Sequence, residues 1–262
     1  MDLASLTAAA VALSAFMACA WWIQRITGNA GWIDTIWTFS LGAVAVILTL
    51  TQERVSHRQI MAAAFAGIWS VRLGLHLFTR TLHITDDPRY RDLMEQWGPR
   101  AGSRLFWFLQ SQAAVSILLA GSIVVAAQNP APFLRPLDLL AALVFSVGLI
   151  GGGLADLQLR RFKSRPENRG RICDRGLWRW SRHPNYFFEW MCWLSYPLLA
   201  MDGTGAYPLG YVAFLAPVCM YWLLAHVSGI PPLETHLMRT RGGLFAVYRA
   251  RTSAFFPWPP RR

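Results

Sequence analysis

A chain of 262 residues with 54% hydrophobic side chains and 13 tryptophans is too apolar and too aromatic for an ordinary water-soluble domain. The formal net charge of +11 would suggest nucleic acid in a soluble protein, but its distribution along this chain excludes that reading. Four scattered cysteines with no C-x-x-C pair, and six histidines without ligand spacing, speak against a disulfide framework and against a metal site.

Seven stretches, at about 3–24, 32–50, 60–82, 105–127, 137–159, 185–201 and 208–230, are long and apolar enough to cross a hydrocarbon core of about 30 Å as helices. The first has no basic n-region and leads straight into another span, so it reads as a retained helix rather than a cleaved signal. The expected fold class is all-α: one polytopic membrane domain over 1–262, with seven transmembrane helices and a tail at 231–262. Of the 25 Lys and Arg residues, 21 follow spans 1, 3 and 5 or lie in the tail. Arg54, Arg58 and Arg135 fall on the opposite side, and Arg72 lies within span 3. The positive-inside rule then puts the N-terminus outside and the C-terminus in the cytoplasm.

Polar residues within the spans gather in the half nearest the basic loops. Asp34 and Trp37 share a face at the start of span 2. Arg72, His76 and Arg80 form a stripe of one-turn spacing on span 3. Intramembrane ionisable groups are costly and mark functional pockets, although an internal Asp34–Arg80 ion pair would also account for two of these. Gly148, Gly151, Gly152 and Gly153 lie inside an apolar helix, which suits close helix packing and not a dinucleotide fingerprint. Asp156 closes span 5, while Asn185 and Glu189 share a face at the start of span 6. In the tail, Leu237, Leu244, Phe245, Tyr248, Phe255 and Phe256 recur among arginines. That pattern suits a helix lying at the membrane interface or folding back on the loops.

The segment from Asp156 to Glu189 interleaves nine basic residues with Trp178, Trp180 and Tyr186. A lipid-binding patch needs only cations. A nucleotide needs cations for phosphate, carboxylates for ribose, aromatic walls and amides for its rings, and a helix N-terminus. The composition favours the nucleotide.

Arg182-His183-Pro184-Asn185-Tyr186 with Glu189 resembles the C-terminal motif shared by membrane steroid reductases and isoprenylcysteine carboxyl methyltransferases. So does the tail pattern Glu234, Arg239, Phe245, Tyr248, Thr252. Gly31-Trp32-Ile33-Asp34-Thr35-Ile36-Trp37, Arg80, and Asp87-Pro88-Arg89-Tyr90-Arg91 with Trp97 resemble the bacterial branch of the steroid 5-alpha-reductase family. The resemblance implies NADPH as cofactor and reduction of the carbon–carbon double bond of a 3-oxo-Δ4 steroid or similar enone. It also implies a bacterial inner membrane, a cofactor site facing the cytoplasm, and a hydrophobic substrate arriving from the bilayer. In that family a carboxylate on span 2 and a tyrosine on span 3 hold the substrate's keto group. Asp34 falls in the carboxylate's place, whereas Leu77 stands where the tyrosine would be. Asp34 and His76 are therefore the expected catalytic residues, with Asp34 and Trp37 against the substrate. To donate a hydrogen bond to a carbonyl, Asp34 has to carry a proton. Asp156, Asn185 and Glu189 match cofactor contacts, and Arg89, Arg91, Lys163 and Arg171 suit its phosphates. His183, Tyr186, Glu234, Arg241 and Tyr248 complete the expected cofactor set. One rival is an S-adenosylmethionine-dependent isoprenylcysteine-type methyltransferase, whose phosphate-free cosubstrate has little need of so many cations. Another is a non-enzymatic lipid- or sterol-binding membrane protein. A transporter is disfavoured because no polar path reaches the far side.

Overall fold

The structure, a computed structural model, describes residues 2–51 and 55–261; Arg54 and Arg262 lie outside the described residues. Among the described residues there are nine α-helices and no strand. The helices are α1 (Leu3–Thr27), α2 (Gly31–Leu50), α3 (His57–Thr81), α4 (Pro88–Trp97), α5 (Ala101–Ala127), α6 (Pro136–Lys163), α7 (Pro184–Ala200), α8 (Leu215–Trp222) and α9 (Ile230–Arg251). One isolated parallel bridge joins Ser181 to Ser253.

Among the described residues, six helical stretches are long and apolar enough to cross a membrane, in α1, α2, α3, the stretch containing α5, α6, and the stretch that begins at Pro208. The expected sixth span is the one that falls short. α7 has 17 residues and an internal Pro197, about 26 Å at ~1.5 Å per residue, against a core of about 30 Å. The stretch from Pro208 is built from unlike turns: a 3₁₀ segment (Pro208–Phe214), α8, and a π turn (Leu223–Val227).

Contacts divide the chain into two compact units. The first comprises Met1–Leu139 and Tyr196–Ala216. Small residues bring α2 against α3: a Cβ at Gly42 would fall 2.1 Å from the Cβ of Ser70, and one at Gly74 would fall 2.5 Å from the Phe39 ring. Ser70 Oγ also donates to Thr38 O at 3.0 Å. α1, α2 and α5 bury Leu13, Met17, Ile33, Leu105 and Leu109 together. Gly28, at φ 69°, ends α1 in the left-handed conformation and lets the chain reverse into α2. At the other end of the α2–α3 connection, Ser56 and Gln59 form a capping box. Arg58 and Arg135, counted above as loop charges, act as interior braces. The buried Arg58 guanidinium donates to Asn129 O, Ala131 O and Pro132 O and pairs with Asp138 at 3.0 Å. Arg135 also pairs with Asp138 and donates to Leu199 O and Met201 O, two of the carbonyls left open at the end of α7.

The second unit comprises Leu140–Ser195 and Pro217–Arg262. Here α6 packs on α7 through the glycine run. A Cβ at Gly148 would fall 2.8 Å from Phe188 O, and one at Gly151 2.4 Å from the Phe188 ring, so the packing reading of these glycines is the observed one. The tail folds back on the basic loop. Arg182 N donates to Ser253 O, Ser181 Oγ to Phe255 O, and Trp258 N to Trp180 O. Phe255 and Phe256 wedge against Trp190 and Tyr221, at ring separations from 5.1 to 5.9 Å.

Candidate functional site

The first unit holds a polar cluster around Asp34, a partly buried side chain one turn into α2. Its Oδ2 accepts from Arg89 Nη2 at 2.5 Å, and its Oδ1 accepts from the Tyr90 hydroxyl at 2.9 Å. Both donors lie in the first turn of α4. Asp87 starts that helix, accepting from Arg89 N at 3.0 Å, and Pro88 occupies the first helical position. The buried Asp87 carboxylate pairs with Arg80 and Arg89. Burial pushes its pKa up, but the charges of Arg89 and Arg80 outweigh that and hold it at about 2. Arg80 is thus taken by Asp87, and the alternative of an Asp34–Arg80 pair gives way to a pair between Asp34 and Arg89. An ion-paired Asp34 accepts hydrogen bonds; the donors beside it are the phenol and the guanidinium. On α5, Gln112 Nε2 donates to Tyr90 Oη at 3.3 Å, while its Oε1 is buried with no hydrogen-bond partner. Aromatic rings flank the cluster. Tyr90 meets Phe108 edge-on at 6.4 Å, and Trp37 meets Trp69 at 6.2 Å. His76 is half-buried on α3, and Arg91 is exposed on α4.

In the second unit a cavity of about 260 Å³ opens at the end of α6. Lys163, Arg165, Arg169, Arg171 and Arg241 line it together with Phe162, Asn168 and the buried Cys173, and no carboxylate is among its lining residues. Gly170, at φ 79°, turns the loop so that Arg169 and Arg171 both reach the cavity. Arg241 sits where α9 breaks (φ −143°, ψ 31°), and its Nη1 donates to Arg171 O at 3.0 Å. The break carries this cation from the tail onto the loop. Five cations in so small a space complement a multiply charged anion.

Other expected cofactor residues fasten the tail. Glu234 Oε1 accepts from Arg182 Nε at 2.7 Å and lies 3.1 Å from His183 Nε2. Burial raises the Glu234 pKa, but the hydrogen bonds from His183 and Arg182 outweigh it and hold it at about 2. His183 is buried, which lowers its pKa despite Glu234; its ring stacks on Tyr186 at 5.5 Å. The Tyr248 hydroxyl donates to Trp178 O at 2.5 Å. Glu189 is buried and accepts from Trp193 Nε1 at 3.3 Å, while Asp156 and Asn185 are half-buried at the facing ends of α6 and α7.

A family model described as a protein of unknown function, DUF1295, matches residues 20–252. The chain belongs to this family. No curated protein and no solved structure matches it.

Within this DUF1295 chain, Lys163, Arg171 and Arg241 line one cavity, and Asp34 and Trp37 lie in the first unit. Arg89 sits with Asp34 and Asp87, in a different unit from the cavity cations. Sequence reading missed Tyr90 and Gln112 as members of the Asp34 cluster, and Arg165 and Arg169 as partners of Lys163. The spacing of Arg165, Arg169 and Arg171 around Gly170 was the available signal for the latter pair.

Proposed function

We propose that this chain is an NADPH-dependent membrane reductase acting on the carbon–carbon double bond of a hydrophobic enone, in the manner of steroid 5-alpha reductases. The observation that carries the reading is the cavity of Lys163, Arg165, Arg169, Arg171 and Arg241 with no carboxylate in its lining. That donor set fits the pyrophosphate and 2′-phosphate of NADPH, whereas S-adenosylmethionine offers no phosphate to it. When bound, NADPH supplies the hydride. Asp156, Asn185, Tyr186 and Glu189 would hold its ribose and ring ends. His183, Glu234 and Tyr248 act one step back, keeping the loop and tail in register. In the first unit, Asp34 orients the Arg89 guanidinium, which would polarise the substrate's carbonyl, while the Tyr90 hydroxyl, its one proton given to Asp34, steadies the carboxylate. On this reading Asp34 acts through Arg89 and stays in the site. Neutralising the developing enolate takes one proton per turnover, which solvent supplies.

The excess of Lys and Arg on one side supports an N-outside, C-cytoplasmic orientation in a bacterial inner membrane, with the cavity facing the cytoplasm. Titrating the purified protein with NADPH, NADH and S-adenosylmethionine tests the cofactor. NADPH should saturate, and Arg171→Ala should weaken it about tenfold while changing NADH little; saturation by S-adenosylmethionine instead would transfer the chain to the methyltransferase class. Asp34→Ala should nearly abolish enone reduction while leaving NADPH binding intact, and equal loss of both would remove its assigned role.

A further inference from the structure

α9 is fastened to the basic loop at two places and broken between them. Near its start Glu234 accepts from Arg182 and meets His183. Past its middle Phe245 is buried, and the Tyr248 hydroxyl donates to Trp178 O. Between these anchors Met238, Arg239 and Thr240 are exposed, and the helix breaks at Arg241. Gly242 and Gly243 follow the break with helical backbone angles. A Cβ at either would meet nothing within 4 Å, and neither has a left-handed φ, so neither packing nor turn geometry calls for glycine there. Two adjacent glycines weaken a helix relative to alanine through the backbone freedom they keep. That freedom lies at the point where α9 carries a cation into the cavity.

Arg241 is the part of the cavity wall that this freedom can move. Lys163, Arg165, Arg169 and Arg171 come from the end of α6 and the loop after it, whereas Arg241 comes from α9. An exposed hydrogen bond, 3.0 Å from Nη1 to Arg171 O, holds it on the loop. Charge opposes that bond whenever no anion is bound: no carboxylate lines the cavity, so Arg241 faces four like charges. A polyphosphate reverses the sign of the field and meets one more cation as Arg241 closes. An anion that binds the closed arrangement better than the open one shifts the population towards it. We propose that Arg241-Gly242-Gly243 is a hinged latch on the anion cavity, pushed open by repulsion among its cations and drawn shut over a bound polyphosphate. The latch sets how fast the anion enters and leaves, and it rests on the reductase reading only for the identity of the natural anion.

Cys173 lines the cavity and is buried, so reaction at its thiol reports opening. The full chain in lipid nanodiscs is treated with the anionic reagent sulfonatoethyl methanethiosulfonate, and labelling of Cys173 is followed by peptide mass spectrometry. Cys192, buried in α7, is the reference for unfolding. Pyrophosphate should slow Cys173 about tenfold and leave Cys192 unchanged. Without pyrophosphate, the pair Gly242→Ala and Gly243→Ala should itself slow Cys173 about tenfold, because alanine suits helical angles and holds the arrangement in which Arg241 lies on the loop. Both positions have room for the methyl group, so the variant folds. Adding Arg241→Ala to the alanine pair should restore fast labelling. No slowing by pyrophosphate, a rate that the alanines leave unchanged, a slowing that survives Arg241→Ala, or labelling of Cys173 no faster than that of Cys192 would each overturn the latch. NADPH is titrated separately: saturation by NADPH with no effect of the alanines would remove the latch and keep the reductase, and a working latch without NADPH binding would do the opposite.

Discussion

His183 shows how much a single residue is asked to do. Its ring is buried, its Nε2 is held by Glu234, and its plane is stacked on Tyr186. Burial lowers its pKa, and Glu234 is held at about 2 by His183 and Arg182. Both shifts act in the same direction on stability. Below the ordinary histidine value of 6.5 the unfolded chain takes up a proton that folded His183 resists, so stability falls as pH falls. Between 4.5 and about 2 the unfolded chain protonates Glu234 before the folded chain does, and stability falls further. Melting followed from pH 8 to pH 4 should show a steady decline, and His183→Gln should flatten the part between 6.5 and 4.5. An unchanged slope in that variant would take His183 out of the account. The motif around His183 was legible as a turn leading into a helix. Its partner was not, because nothing in the sequence says that Glu234, 51 positions away, closes on it. Asp34 teaches the same lesson. Its charge and its face on the helix were readable, but which arginine answers it depends on Asp87 having captured Arg80 first.

Among the helices, those with long apolar runs were read easily, since length and hydropathy suffice to mark α1, α2, α3, α5 and α6. α4 was missed as a helix because it is short and polar; only Asp87-Pro88 at its start carries a local signal. The π turn at Leu223–Val227 leaves no pattern in an apolar run, although its result, a locally widened turn before Gly229, is plain in the structure. The least expected brace is Arg58 at the start of α3. It joins α3 to the segment before α6 through three carbonyls and Asp138. Removing Arg58 leaves Asp138 paired with Arg135 but takes the donor from three carbonyls, and a buried group left unsatisfied costs about 1–3 kcal/mol. Arg58→Met should therefore lower the midpoint of unfolding in detergent markedly without altering NADPH affinity. A shift no larger than that of an exposed arginine variant would show that the brace is idle.

For the whole molecule, charge and hydropathy together were enough to establish a multi-helix membrane protein, and the match to DUF1295 over residues 20–252 agrees with one continuous family region. They did not give the number of full-length spans, because a 17-residue helix and a run of mixed turns look on paper like ordinary crossings. The shortness of α7 would also act on the lipid. Placed across the bilayer as the sequence expects of its sixth span, a helix of about 26 Å would make the acyl chains beside it shorten their reach or draw headgroups inward. The chain should accordingly be more heat-resistant in phosphatidylcholines of 14 carbons than in those of 20, and the reverse order would show that its neighbours conceal the mismatch. On this account a protein with a deeply apolar sequence carries a dent in its own solvent, and the depth of that dent, set by one helix, decides which membranes suit it.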